Sequence, residues 1–344
     1  MFSNLDNETI NLIEKEYQSN SIPWSLGFSG GKDSSALLKL VFNALIRITN
    51  PHKPVNIVYC DTGMDIPLVA NHVNSTLESL KREVEEFQLP IKVIVVKPSI
   101  ENRYFSKIIG HGYPTPTNKF RWCTDKLRVN PIQSVIESKS NNIILLGVRN
   151  GESQERDRVI SRYKTQQDYY LNQFSFPNTK LFTPIINYDL KDVWYLLKTK
   201  QPPFSIDGLK LESLYSSKSL DGTDLIDAIE QSFHKGRFGC WACTVVRKDH
   251  ALMNLISNGY NDLIPLLNFR DWIIKYRDDP KNRCSLRRNG SLGPGPFTLA
   301  ARKTILNKLL YAQSESGIHL ISESEIDYIK SIWQIDMNST KYHE

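Results

Sequence analysis

A glycine-rich hexapeptide carries the first group of residues that are suited to chemistry. The run Ser29-Gly30-Gly31-Lys32-Asp33-Ser34 follows a short apolar segment and precedes a long helical pattern. Two glycines let the backbone turn tightly and approach a ligand, and the helix behind them presents free N–H groups to an anion. Lys32 adds a full positive charge. The run therefore predicts a phosphate-binding loop, although its spacing is not the G-x-x-x-x-G-K-[ST] of a Walker A loop.

Further candidates follow other apolar segments of the chain. Asp61 comes directly after the segment 55–59, and Gly147 and Arg149 lie at the end of the segment 142–148. Ligands of open α/β sheets bind beyond the carboxyl ends of the strands, where these residues are expected.

Phosphate chemistry assigns a role to each charged candidate. Lys32 and Arg149 would stabilise negative charge that develops on phosphate groups. Asp33 or Asp61 would hold a Mg²⁺ ion that bridges phosphate oxygens. We therefore predict Lys32, Asp33 and Arg149 as catalytic, while a turn-capping role is the alternative for Asp61.

Five cysteines form a second chemical group. Cys240 and Cys243 make a single C-x-x-C, which is a zinc half-site, a dithiol or an iron–sulfur half-site. A second C-x-x-C is absent from the sequence, so a zinc ribbon is disfavoured. Together with Cys123 and Cys284, the pair has the four thiolates that a [4Fe–4S] cluster needs. Cys60 is either a persulfide carrier or a small buried hydrophobe.

Alternating strands and helices must position these residues. Continuous apolar strands separated by helices of a dozen residues or more predict an α/β fold, with a parallel sheet covered by helices on both faces. After about residue 200 the alternation stops, which predicts a mostly helical and irregular C-terminal region. We expect an N-terminal helix within 1–23, a catalytic domain over 24–200 and a C-terminal region over 201–344. The predicted strands are 24–28, 55–59, 91–96 and 142–148, and the predicted helices are 7–19, 34–48, 68–87, 131–138 and 189–198.

Composition excludes several classes of protein. The chain has 344 residues, of which 40% are hydrophobic and 23% are charged. These values exclude collagen-like, disordered and disulfide-stapled proteins. The polar start does not resemble a signal peptide, and the apolar runs are too short to span a bilayer. We expect a cytoplasmic protein with reduced thiols and no membrane partner.

Positive charge is concentrated in one segment. Between Arg270 and Leu310 lie ten basic and three acidic residues, a net charge of +7 in a chain whose total is +6. Such a segment is typical of a polyanion partner, and the alternative is a solvated face with acidic neighbours. The residues predicted to bind nucleic acid are Arg283, Arg287, Arg288 and Arg302.

The loop Ser29–Ser34 resembles the SGGKDS motif of the PP-loop ATP pyrophosphatases, which cleave ATP between the α and β phosphates and adenylate a substrate. Three further stretches support the resemblance: Asp61-Thr62-Gly63, the G-x-R-x-x-E-S-x-x-R pattern over 147–156, and the D-V-W at 192–194. The resemblance implies an adenine nucleotide α-hydrolase-like fold. It also implies that ATP is bound by Ser29, Gly30, Gly31, Lys32, Asp33, Ser34, Asp61, Gly147 and Arg149.

A narrower resemblance rests on 110–116, 119–124 and 237–244, which are similar to the DNA phosphorothioation sulfurtransferases of the DndC and SspD types. That family implies a [4Fe–4S] cluster, ATP with Mg²⁺, a cysteine desulfurase as sulfur donor, and further proteins of a DNA modification and phage-defence system. The longer members have an additional cysteine shortly before F-G-C-W, where this chain has none at 232–236. With Cys123, Cys240 and Cys243 as ligands, the fourth is therefore Cys284, His234 or absent.

The resemblance predicts that a DNA backbone phosphate is adenylated and that sulfur then replaces a non-bridging oxygen. A tRNA thiolation enzyme and an adenylyl-sulfate or PAPS reductase are the alternatives within the superfamily. The alternative of another class is a non-catalytic DNA-binding regulator with a vestigial loop.

Overall fold

A six-stranded sheet in the order β3-β2-β1-β4-β6-β5 organises the first part of the chain. We describe residues 1–136, 142–172, 179–215 and 238–338 of a computed structural model. The strands are β1 (Trp24–Phe28), β2 (Val55–Cys60), β3 (Ile91–Val96), β4 (Asn142–Leu145), β5 (Tyr170–Leu171) and β6 (Thr179–Phe182). Four of the five pairings are parallel, which confirms the predicted α/β class.

The strand β5 departs from the parallel arrangement. It pairs antiparallel with β6, with Tyr170 opposite Phe182. Only the short segment 172–178 joins the two strands, whereas a parallel pair needs a crossover of a dozen or more residues. Neither short strand was expected from the sequence, because neither carries a continuous apolar run.

The helices of the first part are α1 (Asn4–Gln18), α2 (Lys32–Arg47), α3 (Pro67–Glu86), α4 (Trp122–Thr124), α5 (Asn130–Ile136), α6 (Gln154–Tyr163), α7 (Leu190–Leu197) and α8 (Gly208–Tyr215). All five predicted helices are present within a few residues. Between α4 and α5 the turn widens to a π-helix over Asp125–Val129, so one helical stretch is continuous from Trp122 to Ile136. Because crossovers are right-handed, the change of direction between β1–β2–β3 and β4 places helices on both faces of the sheet.

The switch in strand order determines where a ligand can bind. β1 lies between β2 and β4, with Leu26 in register with Ile57 on one side and Leu145 on the other. This is the topological switch point of an open α/β sheet, outside which ligands bind. The loop Ser29–Ser34 leaves β1 at that point, beside the chain that leaves β4 towards Gly147.

Two compact units emerge from the contacts along the chain. The first comprises 1–60, 68–96 and 132–216, and the second comprises 61–67, 97–131 and 217–344. The N-terminal helix α1 belongs to the first unit, where Ile10, Ile13 and Tyr17 are buried. The domain boundaries predicted from the sequence stay a prediction.

The second unit is built mainly from helices, as expected for the C-terminal region. Its longer helices are His250–Ser257, Ile264–Asp278, Leu299–Ser316 and Glu323–Asn338. The aromatic rings of Phe105, Trp241 and Phe269 pack together in its core, with centroids 5.8 to 6.1 Å apart. None of the helices in the described ranges is long and apolar enough to cross a membrane.

The buried Lys53 makes the stability of the first unit depend on pH. Its ammonium lies 4.6 Å from the ring of Tyr17 and 4.4 Å from that of Trp24, and the nitrogen has no hydrogen-bond partner among the described residues. Burial lowers the pKa of Lys53 from 10.5 to about 8, although the carboxylate of Glu16 acts in the opposite direction. The folded protein therefore loses this proton before the unfolded chain does. The free energy of unfolding should rise with pH between about 8 and 10.5.

Replacement of Lys53 by methionine should stabilise the protein at neutral pH. Removing the buried charge gains up to about 3 kcal/mol at pH 7, and the gain should shrink above about pH 9, where the native amine is already neutral. Thermal unfolding of Lys53→Met at both pH values measures this difference, with the exposed Lys15→Met as the control. A melting temperature below that of the native protein at pH 7 would contradict the prediction.

Candidate active site

The loop after β1 has the backbone geometry of an anion site. Gly30 has a φ of +71°, in the left-handed region, and a Cβ added there would lie 2.1 Å from Val73. Gly31 caps α2 without a side-chain hydrogen bond to the helix N-terminus. The first turn of this 16-residue helix therefore directs backbone N–H groups and the positive end of its dipole at the loop.

Hydroxyl groups hold the loop in shape. The hydroxyls of Ser29 and Ser34 are 3.0 Å apart, and that of Ser34 also accepts a hydrogen bond from the N–H of Ser29. The Tyr215 hydroxyl accepts from the N–H of Lys32 at 3.3 Å, and the Lys32 ammonium lies 5.6 Å from the centroid of the tyrosine ring. Sequence reasoning missed Tyr215, which lies 183 residues away and has no motif of its own.

Three predicted catalytic residues meet in the first unit. The carboxylate of Asp33 accepts from the Lys32 ammonium at 3.0 Å and from the Arg149 guanidinium at 2.6 Å. Arg149 also donates to the carbonyl of Tyr188 at 3.2 Å. Side chains of both cations are only 6% exposed. Two cations thus converge on one carboxylate at the N-terminus of a helix, an arrangement suited to binding and polarising phosphate groups.

Gly147 is required because the chain after β4 passes against the loop. A Cβ at this position would lie 2.7 Å from the carbonyl carbon and oxygen of Asp33. Gly147→Ala should therefore displace the loop, lower stability by about 1–3 kcal/mol and weaken ATP binding. Thermal unfolding and ATP titration measure the two effects. Gly239→Ala is the control for unfolding, because a Cβ there meets nothing within 4 Å, and equal melting temperatures for the two variants would contradict the prediction.

The C-x-x-C loop is fixed within the second unit. The N–H of Trp241 donates to the carbonyl of Met64 at 2.9 Å, and Cys240 forms a β-bridge with Asp65. The Tyr104 hydroxyl donates to the carbonyl of Ala242, between the two cysteines, at 2.9 Å. The cysteine loop therefore pairs with the chain that follows the Asp-Thr-Gly motif.

Three of the predicted ligands share one environment. Burial is the largest cause that raises the pKa of Tyr104. The charges of Cys240, Cys243 and Cys123 raise it further. Burial also raises the pKa of Cys240 to about 12, whereas Arg128 lowers it. In Cys123, burial and the neighbouring Cys243 raise the pKa, and Arg128 again acts in the opposite direction.

The three thiols fit an iron–sulfur cofactor in their chemistry, since thiolates are its ligands. They do not form a ready-made site. Across 1–136, 142–172, 179–215 and 238–338, no group of three or more His, Cys, Asp or Glu side chains is arranged to hold a metal ion. Binding would therefore require Cys123, Cys240 and Cys243 to approach one another.

One candidate for the fourth ligand, Cys284, makes its backbone contacts in another part of the second unit. Cys284 is in a turn, where its N–H donates to Pro296 and its carbonyl accepts from Gly295, each at 2.8 Å. His234 falls outside the described residues. The four-cysteine set is therefore not assembled in this fold.

Asp61 has a local structural role in the second unit. Its carboxylate accepts from the N–H of Gly63 at 3.0 Å and pairs with Lys97 at 2.9 Å. The hydrogen bond to Gly63 is the turn-capping interaction that the sequence analysis gave as the alternative role of Asp61. The same motif borders a cavity of about 230 Å³, which Tyr104 and Glu325 also line.

The basic segment is less available than its sequence indicates. Arg302 is 4% exposed, donates to the carbonyl of Gly110 and pairs with Asp336 at 2.6 Å. Arg283 is half-buried, donates to Gly295 and lies 5.2 Å from the ring of Phe297. The guanidinium groups of both arginines are thus engaged within the fold, and the binding of nucleic acid by these two residues stays a prediction. Arg287 and Arg288 are exposed.

Comparisons with known proteins place the chain in a family. Residues 23–246 match the family model of the phosphoadenosine phosphosulfate reductase domain. An uncharacterized protein of Methanocaldococcus jannaschii is 25% identical over 205 residues, which cover 59% of this chain and 37% of that protein. The chain thus spans little more than a third of the curated relative's length.

Solved structures resemble the chain only distantly. The phosphoadenylyl-sulfate reductase of Candida auris, in its phosphate complex, is 15% identical with a TM-score of 0.35, over 58% of this chain and 87% of that one. The U34-tRNA thiolase NcsA of Methanococcus maripaludis, with its [4Fe-4S] cluster, is 14% identical with a TM-score of 0.37, over 79% and 80%. Likenesses at this level carry no functional argument.

Proposed function

The chain belongs to the phosphoadenosine phosphosulfate reductase domain family, and within that family we propose that it is an ATP pyrophosphatase that serves sulfur transfer to DNA. One observation carries the first half of the proposal. Lys32 and Arg149 converge on Asp33 at the start of α2, where Gly31 provides no side-chain cap. The cations and the backbone N–H groups are the catalysts that pyrophosphate departure requires.

The proposed ATP reaction is a displacement at the α-phosphorus. An oxygen of the acceptor phosphate forms a bond to that phosphorus, and the bond to the bridging oxygen of pyrophosphate breaks. Negative charge then grows on the leaving group, where the Lys32 ammonium and the Arg149 guanidinium stabilise it. Bound Mg²⁺ would neutralise phosphate oxygens, and Asp33 or Asp61 would supply a carboxylate to hold it.

Product analysis tests the ATP reaction. Protein purified without oxygen and supplied with ATP, Mg²⁺ and DNA should form one pyrophosphate for each AMP that is either released or attached to the DNA, as resolved by phosphorus NMR. Formation of ADP and phosphate, or no turnover at all, would reject the proposal.

The second half of the proposal assigns sulfur transfer to the cysteines of the second unit. Cys123, Cys240 and Cys243 would hold an iron–sulfur cluster, which supplies iron able to carry sulfide when it is bound. Burial raises the pKa of Cys123 and Cys240, and the positive charge of Arg128 opposes that rise. Sulfide-level sulfur, delivered by a cysteine desulfurase and a thiol reductant, forms a bond to the phosphorus of the adenylated DNA phosphodiester while AMP leaves. The partners proposed here are DNA, that desulfurase and other phosphorothioation proteins.

Family membership favours one other candidate, a reductase of adenylyl sulfate or its 3′-phosphorylated form. That enzyme would release sulfite from the sulfonucleotide with electrons from a dithiol protein. Sulfite production in the absence of DNA would establish this candidate in place of sulfur transfer to DNA.

A further inference from the structure

We propose that three cations around Tyr113 form a binding surface for the DNA phosphodiester backbone and bring it beside Cys123. We call Lys107, Lys126 and Arg288 the Tyr113 cation cluster. This inference rests on the proposed transfer of sulfur to DNA, because it names the surface on which that substrate would lie.

The cluster brings together residues from distant parts of the sequence. The Arg288 guanidinium lies 4.5 Å from the ring centroid of Tyr113, and the Lys107 ammonium lies 5.6 Å from the same centroid. Arg288 also donates to the carbonyl of His111, which fixes its position over the ring. Lys126 is close enough to act electrostatically on Lys107. Only Arg288 belongs to the basic segment that is evident in the sequence.

The Tyr113 cation cluster carries an excess of positive charge. Burial lowers the pKa of Lys107, and the neighbouring charges of Lys126 and Arg288 lower it further, whereas Glu101 acts in the opposite direction. None of the three cations forms an ion pair with a carboxylate in the part of the chain that the structure describes. Cations held together without acidic partners attract a ligand with closely spaced negative charges, and the backbone of a nucleic acid has one on every phosphate.

The cluster and the cysteines share one aromatic framework. Lys126 follows Cys123 by three residues on the helical stretch from Trp122, a spacing that places side chains on neighbouring turns. The ring of Trp122 packs against Tyr113 at 5.5 Å and stacks on Tyr104 at 5.7 Å. Tyr104 in turn donates to the carbonyl between the two cysteines of the C-x-x-C. We therefore infer that a phosphate held by the cluster lies near Cys123.

A triple substitution tests the surface. In Lys107→Gln/Lys126→Gln/Arg288→Gln, we expect the affinity for a short fluorescein-labelled DNA duplex to fall at least about tenfold at physiological salt. The slope of log affinity against log salt should fall by about 1 for each cation removed. Fluorescence anisotropy over a series of KCl concentrations measures both values. The matched control, Lys303→Gln/Lys308→Gln/Lys330→Gln, removes the same charge from exposed positions of the second unit and should keep the native slope.

Several results would contradict the proposal that the Tyr113 cation cluster binds DNA. An unchanged slope in the triple variant, or an equal loss in the control, would remove the cluster from DNA binding. Tighter binding of an RNA hairpin than of the duplex would reject DNA as the partner. If circular dichroism shows that the triple variant is misfolded, Lys126→Gln alone must still lower the slope by about 1. Pyrophosphate release by the native protein, measured in parallel, separates the outcomes: its absence contradicts the ATP reaction, whereas its presence with an unchanged slope contradicts only the surface.

Discussion

Replacing Lys32 by alanine should reduce pyrophosphate release from ATP at least about a hundredfold, the scale expected when one preorganised charge is removed from a developing anion. The Lys32 side chain is 6% exposed and its ammonium lies 3.0 Å from Asp33. Initial rates of pyrophosphate release in native and variant protein give the ratio.

The exposed Lys81→Ala is the matched control for Lys32→Ala. Lys81 pairs with Glu78 on the surface of α3, and such pairs contribute little to stability. We expect native rates in this variant. A rate within threefold of native in Lys32→Ala, with ATP still bound, would show that the loop binds the nucleotide without catalysing its cleavage.

Cys240→Ser should abolish sulfur transfer to DNA and remove the visible absorbance of anaerobically purified protein. A serine hydroxyl is a poor replacement for a thiolate ligand of iron. The backbone position should survive, because the loop is held by Trp241, Tyr104 and the bridge to Asp65. Iron content and the absorbance spectrum test the cofactor, and labelled sulfur in DNA tests the transfer.

The comparison with Cys284→Ser decides the ligand set. Cys284 lies in the turn with Gly295 and Pro296, so we expect this variant to keep its iron and its absorbance. Equal loss of iron in both variants would indicate that Cys284 is also a ligand of the cluster. Full iron content in Cys240→Ser would contradict an iron–sulfur centre at the C-x-x-C.

Much of the first unit could be predicted because its elements are continuous and apolar. Strands such as Trp24–Phe28 and Ile91–Val96 are mostly hydrophobic, as is typical of strands in a parallel sheet. The strands Tyr170–Leu171 and Thr179–Phe182 are short and mixed in composition, so local pattern did not reveal them. The strand order depends on long-range pairing, which no local pattern determines.

The phosphate loop was predicted correctly as a strand–loop–helix unit, but the contacts that shape it were not. Gly147 was proposed as an ATP ligand from its motif, and the structure gives it a steric role against Asp33. Tyr215 lies in a segment without any motif, so the sequence did not identify it as part of the loop. Packing partners from distant sequence cannot be identified from residue type and spacing alone.

The distribution of charge along the sequence was a poor guide to which basic residues are exposed and which lie together in the fold. Arg270 and Arg302 both count towards the charge of the basic segment, although both are buried, and Arg270 is only 1% exposed. Arg270 donates to a backbone carbonyl, and Arg302 donates to a backbone carbonyl and pairs with a carboxylate. Lys107 and Lys126 lie outside that segment, yet the fold brings them to Arg288. Long arginine side chains with five donors serve interior hydrogen bonding as readily as phosphate binding.

The most direct test of the central claim follows sulfur and nucleotide in one reaction. Native protein, ATP, Mg²⁺, DNA, a cysteine desulfurase and radiolabelled cysteine are incubated under reducing, anaerobic conditions, and sulfur in DNA is counted beside AMP. The proposed function predicts sulfur in the DNA, dependent on ATP, with at least one AMP formed for each sulfur incorporated. Sulfur incorporation without ATP, or AMP formation that leaves the DNA unlabelled while tRNA in a parallel reaction is labelled, would contradict it.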